Sequence, residues 1–451
     1  MNKTRKIVYG VFIAVTVGFF AMILLFSKDK EASSEQVQLK ERRGTFAMSA
    51  EWLNTKTAIE GLLISLENNP ENTKIMVQLA QAYIQESRVT GDHAFYDKAA
   101  LDMTDKVLAV EPNNFEALCC QGTVLLSQHH FADALVVAQK AQQVNPASAF
   151  VYGMLCDANV ELGNYEEAVK MCDKMVSLRP DTRSYSRVSY LREIHGDIPG
   201  AIEAMKLAVA AGYAGLEQTE WCRIILGQLY EQTSSMDSAK YCYELAQYNR
   251  TDYPFALAGL ARIEKAKGNN AAAIAWLEKA NLQISEYSFY EELAELYAAN
   301  GEKVKADSAM ATAIAMLGPG ETDNEAVIGH GHYADRELAL AYARTGEYDK
   351  AIMHAITEYN RRPNNIDICE TLAWVYYKAG KYYLAEDMMR KALRTGKKNP
   401  ETLCRAGLIQ IHSGFGYSGK RLLNDRAIAS NPFIDHSLKE ESAPYIAATH
   451  N

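Results

Sequence analysis

Read as apolar and polar positions, "LAWVYYKAGKYYLAEDMMRKAL" (Leu372–Leu393) holds two runs of helical period separated by Ala-Gly-Lys. Before the break, Leu372, Ala373 and Tyr376 fall on one face; after Gly380, Tyr382, Ala385, Met389 and Ala392 again recur at helical intervals. Neither run is long enough to bury its apolar face by itself. The pattern predicts a hairpin of two short helices that is stable only against neighbours.

The same pattern returns along the chain. "LGNYEEAVKMCDKMVSLRP" (Leu162–Pro180) and "TGEYDKAIMHAITEYNRRP" (Thr345–Pro363) repeat a Gly, then a Tyr, then an Ala at the same offsets. "QHHFADALVVAQKAQQVNP" (Gln128–Pro146) has His129 where the Gly would stand, while "KGNNAAAIAWLEKA" and "NGEKVKADSAMATA" lose the aromatic. The anchor alanines Ala134, Ala168, Ala201, Ala239, Ala273, Ala306, Ala351 and Ala385 are spaced 34, 33, 38, 34, 33, 45 and 34. The modal period is therefore about thirty-four. The Gly permits positive φ at the end of the first helix, so the chain reverses tightly. The Ala is small because the two helices approach closely there. A closing proline (Pro112, Pro146, Pro180, Pro363, Pro432) stops the second helix.

These residues, in register over roughly Ala50 to Pro432, resemble the tetratricopeptide repeat (TPR) family. The resemblance implies an all-α fold: a right-handed α-solenoid of about ten hairpins within 71–432, each stacking on the next to bury its open side. The units fall at about 72–112, 113–146, 147–180, 181–214, 217–252, 253–286, 287–320, 332–365, 366–399 and 400–432. A helix within 45–70, "AEWLNTKTAIEGLLISLENNP", is expected to cap the first unit. "QESRVTGDHAF" is expected as an insertion between the helices of the first unit, "AGYAGLEQTE" between the fourth and fifth, and "LGPGETDNEAVIGHG" between the seventh and eighth. In the last unit, "SGFGYSGKR" puts Lys420 or Arg421 where the anchor Ala is expected. The stretches "SYSRVSYLREIHGDIPGAIEAMKLAVAAG" and "RELALAYARTGEYDKAI" also resemble a group of bacterial membrane-anchored TPR proteins. That group has no assigned activity, so the resemblance implies a fold and not a task.

Ahead of the repeats, residues 1–6 carry Lys3, Arg5 and Lys6, and residues 7–26 ("IVYGVFIAVTVGFFAMILLF") contain no charge. Twenty helical residues rise about 30 Å, the thickness of a bilayer's hydrocarbon. A cleaved signal peptide is the competing reading, but its apolar region is shorter and ends at a small-x-small site, which "LLFSKDK" lacks. We therefore expect one uncleaved anchor, a cytoplasmic N-terminus and an exported, periplasmic body on the inner membrane. Residues 27–44 read as a charged tether, and residues 433–451 as a tail without assignment.

Composition narrows the functions. A net charge of −9 and 48% apolar residues describe a folded chain without a basic surface for phosphates, so nucleic acid is not an expected partner. The eight cysteines show no disulfide framework and no CxxC pair. Cys156 and Cys172 stand opposite each other across the turn at Gly163 and are read as buried thiols, a bridge between them being conceivable. His330 and His332 in "GHGH" have no ligand-spaced companions, and no metal or cofactor is expected. The glycine-rich "HSGFGYSG" lacks the Lys-Ser/Thr of a phosphate loop, and Glu291, Glu292 and Glu295 read as a solvated face. No nucleophile, acid–base pair or metal set is nominated, so no enzyme activity is expected.

Binding is the remaining class. First helices line the concave side of such an array, and Trp and Tyr anchor interfaces because they bury much area at small entropic cost. With Cys369, Leu372, Ala373 and Tyr376 on the core stripe, Glu370, Trp374, Tyr377 and Lys378 are expected to face the groove, joined by Arg336 and Arg344. Arg187, Tyr190 and Glu193, and Arg262 and Lys265, occupy the equivalent faces of the fourth and sixth units. Some TPR domains clamp a chaperone's terminal carboxylate with Lys, Asn and Arg; here Cys119, Thr123, Met154 and Asp157 stand at those heights, so that role is set aside. The expected function is a non-catalytic scaffold for protein partners, with capture of peptide or glycan in envelope assembly or secretion as the alternative.

Overall fold

The computed structural model describes residues 39–318 and 332–446. The described residues from Arg42 onward form one compact unit. The expected anchor at 7–26 and most of the tether lie outside the described residues. Among those described, no helix is long and apolar enough to cross a membrane.

Every regular element among the described residues is a helix. A lone helix, α1 (Ala50–Asn68), is followed by the hairpins α2 (Thr73–Thr90) and α3 (His93–Val110), α4 (Phe115–Ser127) and α5 (Phe131–Val144), and α6 (Ala149–Glu161) and α7 (Tyr165–Leu178). Next come α8 (Thr182–Ile194) and α9 (Ile198–Ala210), α10 (Glu217–Gln232) and α11 (Met236–Asn249), α12 (Pro254–Ala266) and α13 (Asn270–Gln283), and α14 (Tyr287–Ala299) and α15 (Lys303–Leu317). The last three are α16 (Asp335–Thr345) and α17 (Tyr348–Arg361), α18 (Ile366–Lys378) and α19 (Tyr382–Ala392), and α20 (Pro400–His412) and α21 (Gly416–Leu423). Two short helices close the described chain, α22 (Arg426–Ala429) and α23 (His436–Ser442).

Local chemistry fixes the helix ends. Asn72, Asn114, Asp181, Asn365 and Asn399 each accept a backbone N–H at the start of a first helix, satisfying donors the helix cannot. All eight anchor alanines are buried. Their size matters because the paired helices meet there. At the hairpin reversal the chain takes positive φ, usually on Gly, but His129 (φ 63°) and Ser234 (φ 56°) occupy the two positions without one. A left-handed conformation costs a side chain about 1–2 kcal/mol. Ser234→Gly is therefore expected to stabilise the fifth hairpin by about 1 kcal/mol, measured as a raised urea midpoint; no change would mean the turn is unstrained.

Two expectations change. The first hairpin has no looped insertion: α2 and α3 each run 18 residues, and "QESRVTGDHAF" is absorbed as extra helical turns with Gly91 at the reversal. In the last hairpin the reversing residue is Gly414 (φ 94°), and the small residue is Gly419, not Lys420 or Arg421. Gly419 is buried so close to Gly407 that a Cβ on either would overlap the other helix. The final unit therefore keeps the pattern, with Gly in place of Ala.

Contacts run between successive first helices from α2 through α4, α6, α8 and α10 to α12, and again from α16 through α18 to α20, which puts them on the inner, concave side. The array also closes on itself. A ring nitrogen of His129 lies 2.9 Å from the Tyr333 carbonyl, 204 residues on. The Ile366 amide donates to the Tyr165 hydroxyl at 2.8 Å across 201 residues, and the Thr395 hydroxyl donates to the Ile194 carbonyl at 2.6 Å across another 201. The turns of the second, third and fourth hairpins thus each meet a connection one superhelical turn later, and a turn holds roughly six hairpins.

At the other end, α1 packs on α2 with Trp52 and Ile59 buried. Arg42, expected in the tether, is 5% exposed and donates to Glu86 at 2.6 and 3.0 Å and to Glu51 at 2.8 Å. A buried guanidinium with two carboxylates is part of the fold, not of a linker.

Candidate functional site: the concave wall

The first helices present a continuous row of charged and aromatic side chains inward, and most are tied to the next hairpin. Arg187 on α8 grips Asp157 on α6 with two nitrogens, at 2.8 and 2.5 Å. Glu193 accepts the Gln232 amide at 2.7 Å. Arg262 on α12 spans Glu231 on α10 at 3.0 Å and Glu292 on α14 at 3.3 Å, and also donates to the Tyr243 hydroxyl. Lys265 reaches Glu295 at 2.9 Å. The ion-pair rungs join residues 30 or 31 apart, one repeat on, and Glu193–Gln232 joins residues 39 apart, so these first helices are braced one to the next. Glu292 and Glu295 are consequently not the solvated face expected of them.

Arg336 and Tyr190 are the least engaged of the expected groove residues. Tyr190 is 37% exposed, with its hydroxyl 3.4 Å from Asp367. The Arg336 side chain is 39% exposed and meets Glu337 at 3.5 Å. Arg344 meets Asp435 at 3.4 Å, outside the repeats.

On α18 the expected division holds for Cys369, Leu372 and Ala373 and reverses for the two tyrosines. Tyr377 is buried and Tyr376 half-buried. Tyr377 is covered because its hydroxyl donates to Glu441 at 2.9 Å and its ring meets Tyr382 and His412. Trp374 stacks on Tyr377, centroids 5.0 Å apart, and carries the Lys378 and Arg405 cations at 5.4 Å from its ring. Lys378 pairs with Glu441 at 3.2 Å. Glu370 does not face the groove freely. It is 6% exposed and gathers Thr402, Arg405 and Lys397 at 2.8, 2.9 and 3.1 Å.

Enclosure sets the electrostatics. Burial raises the Glu292 carboxyl above its usual range, Arg262 and Lys265 pulling it back in part. Burial opposes the Arg262 charge, but Glu231, Tyr243 and Glu292 outweigh it and hold the guanidinium well above normal. Glu161 is raised to about 7, first by burial, with Arg362 opposing and Asp367 adding to the rise. Arg362 is shared: it donates to Glu161 and to the buried Glu358 at 2.5 Å each, so its pull is divided. A carboxyl that keeps its proton longer when folded favours folding below about 4.5 and loses that contribution as pH rises towards 7. The stability of the unaltered chain relative to Glu161→Gln is expected to fall as pH rises from about 4.5 to 7, read from urea midpoints; a difference independent of pH would refute it.

A cavity of about 640 Å³ opens between α14, α16, α18 and α20. Glu291, Arg344, Trp374 and Arg405 line it from the wall, and Asp435 to Glu440 line it from the segment after the last hairpin. That segment, left without assignment from the sequence, is the principal feature sequence reasoning missed. The available signal was its own spacing: Asp435, Leu438 and Glu441 fall on one side of a short helix. Opposite charges one repeat apart would likewise have exposed the braced wall.

The wall's chemistry is that of recognition. All eight cysteines are buried free thiols, Cys156 and Cys172 sharing a hydrogen bond. No group of His, Cys, Asp or Glu among the described residues is arranged to hold a metal ion. His332 lies against His129, ring centroids 4.3 Å apart.

An all-helical solenoid with this inner wall defines the class. Two stretches, residues 125–192 and 366–398, match family models described as Tetratricopeptide repeat, so the chain carries such repeats, which mediate protein–protein interaction in general. Among solved structures it is similar to the human IFIT1 dimer with m7Gppp-AAAA (15% identity, 76% of this chain and 77% of that chain, TM-score 0.48). It is also similar to the APC/C hetero-tetramer Cut9-Hcn1 (16%, 73% and 63%, TM-score 0.42). A tetratricopeptide repeat protein from Parabacteroides merdae matches as well (17%, 54% and 95%, TM-score 0.40). No curated protein matches the sequence.

Proposed function

We propose that this chain is a non-catalytic scaffold, anchored by residues 7–26 with its body exported, that holds segments of partner proteins against the concave wall. The observation carrying the proposal is the pairing of a rigid wall with unspent recognition groups. Ion-pair rungs spaced one repeat apart fix the first helices, while Tyr190, Arg336 and Trp374 remain accessible to a guest. A preformed surface loses little entropy on binding, and an aromatic beside cations suits a peptide with apolar and acidic side chains.

The test is affinity capture from a native membrane extract with the unaltered chain and with Trp374→Ala and Tyr190→Ala. A stoichiometric partner whose yield drops at least tenfold with either substitution, at unchanged helical circular dichroism, is expected. Equal yields from all three chains would defeat the reading. Fractionation tests the anchor: the full chain should stay in the membrane pellet through alkaline carbonate and leave it only with detergent.

A further inference from the structure

The segment that follows the last hairpin does not simply extend the solenoid; it crosses the inner wall. Asn431 donates to the Glu231 and Gln232 carbonyls at the end of α10, at 3.2 and 3.3 Å. The His436 amide donates to Glu295 on α14 at 3.0 Å, and Asp435 accepts Arg344 on α16 at 3.4 Å. Glu441 receives Tyr377 and Lys378 on α18. One stretch of sixteen residues therefore touches first helices from the fifth hairpin to the tenth, where Leu438 is buried in the cluster with Ile409.

This is the geometry of a peptide in a groove. A short amphipathic helix sets one apolar side chain between two carboxylates, each opposite a fixed cation of the wall. On the other side it remains open, since His436, Ser437 and Glu440 are exposed and the cavity of about 640 Å³ runs alongside. The attachment differs from that of the hairpins, which bury apolar surface on both neighbours. It combines polar ties to residues up to 200 positions away with apolar anchors of its own, Ile434 and Leu438 being buried and Tyr445 and Ile446 packed against the same cluster.

We propose that residues 431–446 are a resident ligand of the concave wall, and that the partners it admits are acidic amphipathic segments repeating the spacing of Asp435, Leu438 and Glu441. The inference rests on the scaffold reading and deepens it by naming the guest's chemistry. A partner segment of this kind takes the wall only by displacing the resident one, so occupancy depends on competition between two similar ligands. The resident segment has the advantage of being tethered at high effective concentration.

The experiment uses the full chain bearing Asp435→Lys, Leu438→Asp and Glu441→Lys, with no substitution in the repeats. The probe is a fluorescent peptide of residues 431–446, followed by polarisation. The released chain is expected to bind the peptide at least tenfold tighter than the unaltered chain, and adding Lys378→Glu should abolish the gain. Equal binding by both chains, or none by a released chain of unchanged circular dichroism, overturns the proposal. Hydrogen exchange on the unaltered chain decides the matter should the variant misfold. Protection of Leu438 and Lys439 at least 100-fold below α18 supports a releasable segment, and protection equal to α18 overturns it. Trp374-dependent capture of a protein partner without peptide binding would sink this proposal and leave the scaffold standing.

Discussion

Gly163→Ala should destabilise the chain by about 2–5 kcal/mol, against about 1–2 kcal/mol for Gly380→Ala. Both glycines turn a hairpin with nearly the same positive φ, 79° and 73°. They differ in what lies beside them. A Cβ on Gly380 would meet open space, whereas a Cβ on Gly163 would overlap the Asn364 carbonyl of the next superhelical turn. The backbone cost is therefore common to both, and the excess at Gly163 measures the seam between turns. Hydrogen exchange should locate it: Gly163→Ala accelerates the Ile366 amide, which donates to Tyr165, and Gly380→Ala leaves it unchanged. Identical behaviour of the two variants would mean the turns do not touch in solution.

Glu370→Leu is expected to cost roughly 3–5 kcal/mol, because removing one partner of a buried ion cluster strands the others. Glu370 is the shared acceptor of Lys397 and Arg405, whose side chains are 13% and 18% exposed. Without it Lys397 keeps Asp367 at 2.6 Å, and Arg405 is left with the Trp374 ring and a distant Glu401 at 3.8 Å. Changing Arg405 to Met in the same chain should recover much of the loss, since Lys397 keeps Asp367 and no unpaired cation remains. Urea midpoints of the single and double variants decide it. A single variant as stable as the unaltered chain would show that the cluster contributes nothing.

How far these features could be read from the sequence follows from their range. Helix spacing, the reversing Gly and the anchor Ala are set within one hairpin, so a window of thirty-four residues contains their whole cause. That is why the buried alanines from Ala134 to Ala385 were legible. In the last hairpin the reversal is at Gly414, so the small position five residues on is Gly419 and not the expected Lys420 or Arg421. The site is another matter. Arg187, Arg262 and Lys265, expected to face the groove, are each engaged by a carboxylate one repeat away. Tyr377 was misplaced for a longer-range reason: the residue that covers it, Glu441, lies 64 positions on and outside the repeat pattern. Contacts across 200 residues leave no periodic mark, because they depend on the superhelical pitch, which sums small rotations over six hairpins.

The seam carries a consequence for how such a chain can evolve. An open array tolerates duplication or loss of a unit, since each unit contacts only its neighbours. Here His129 must find Tyr333, Tyr165 must find Ile366 and Ile194 must find Thr395, all at one fixed remove. Deleting a hairpin between any of these pairs would bring each turn opposite the wrong connection. Gly163 would no longer face a backbone that leaves room for it. The number of units between seam partners is therefore locked, and variation in this lineage should accumulate at the two ends and in the connections, with the count inside each turn held constant.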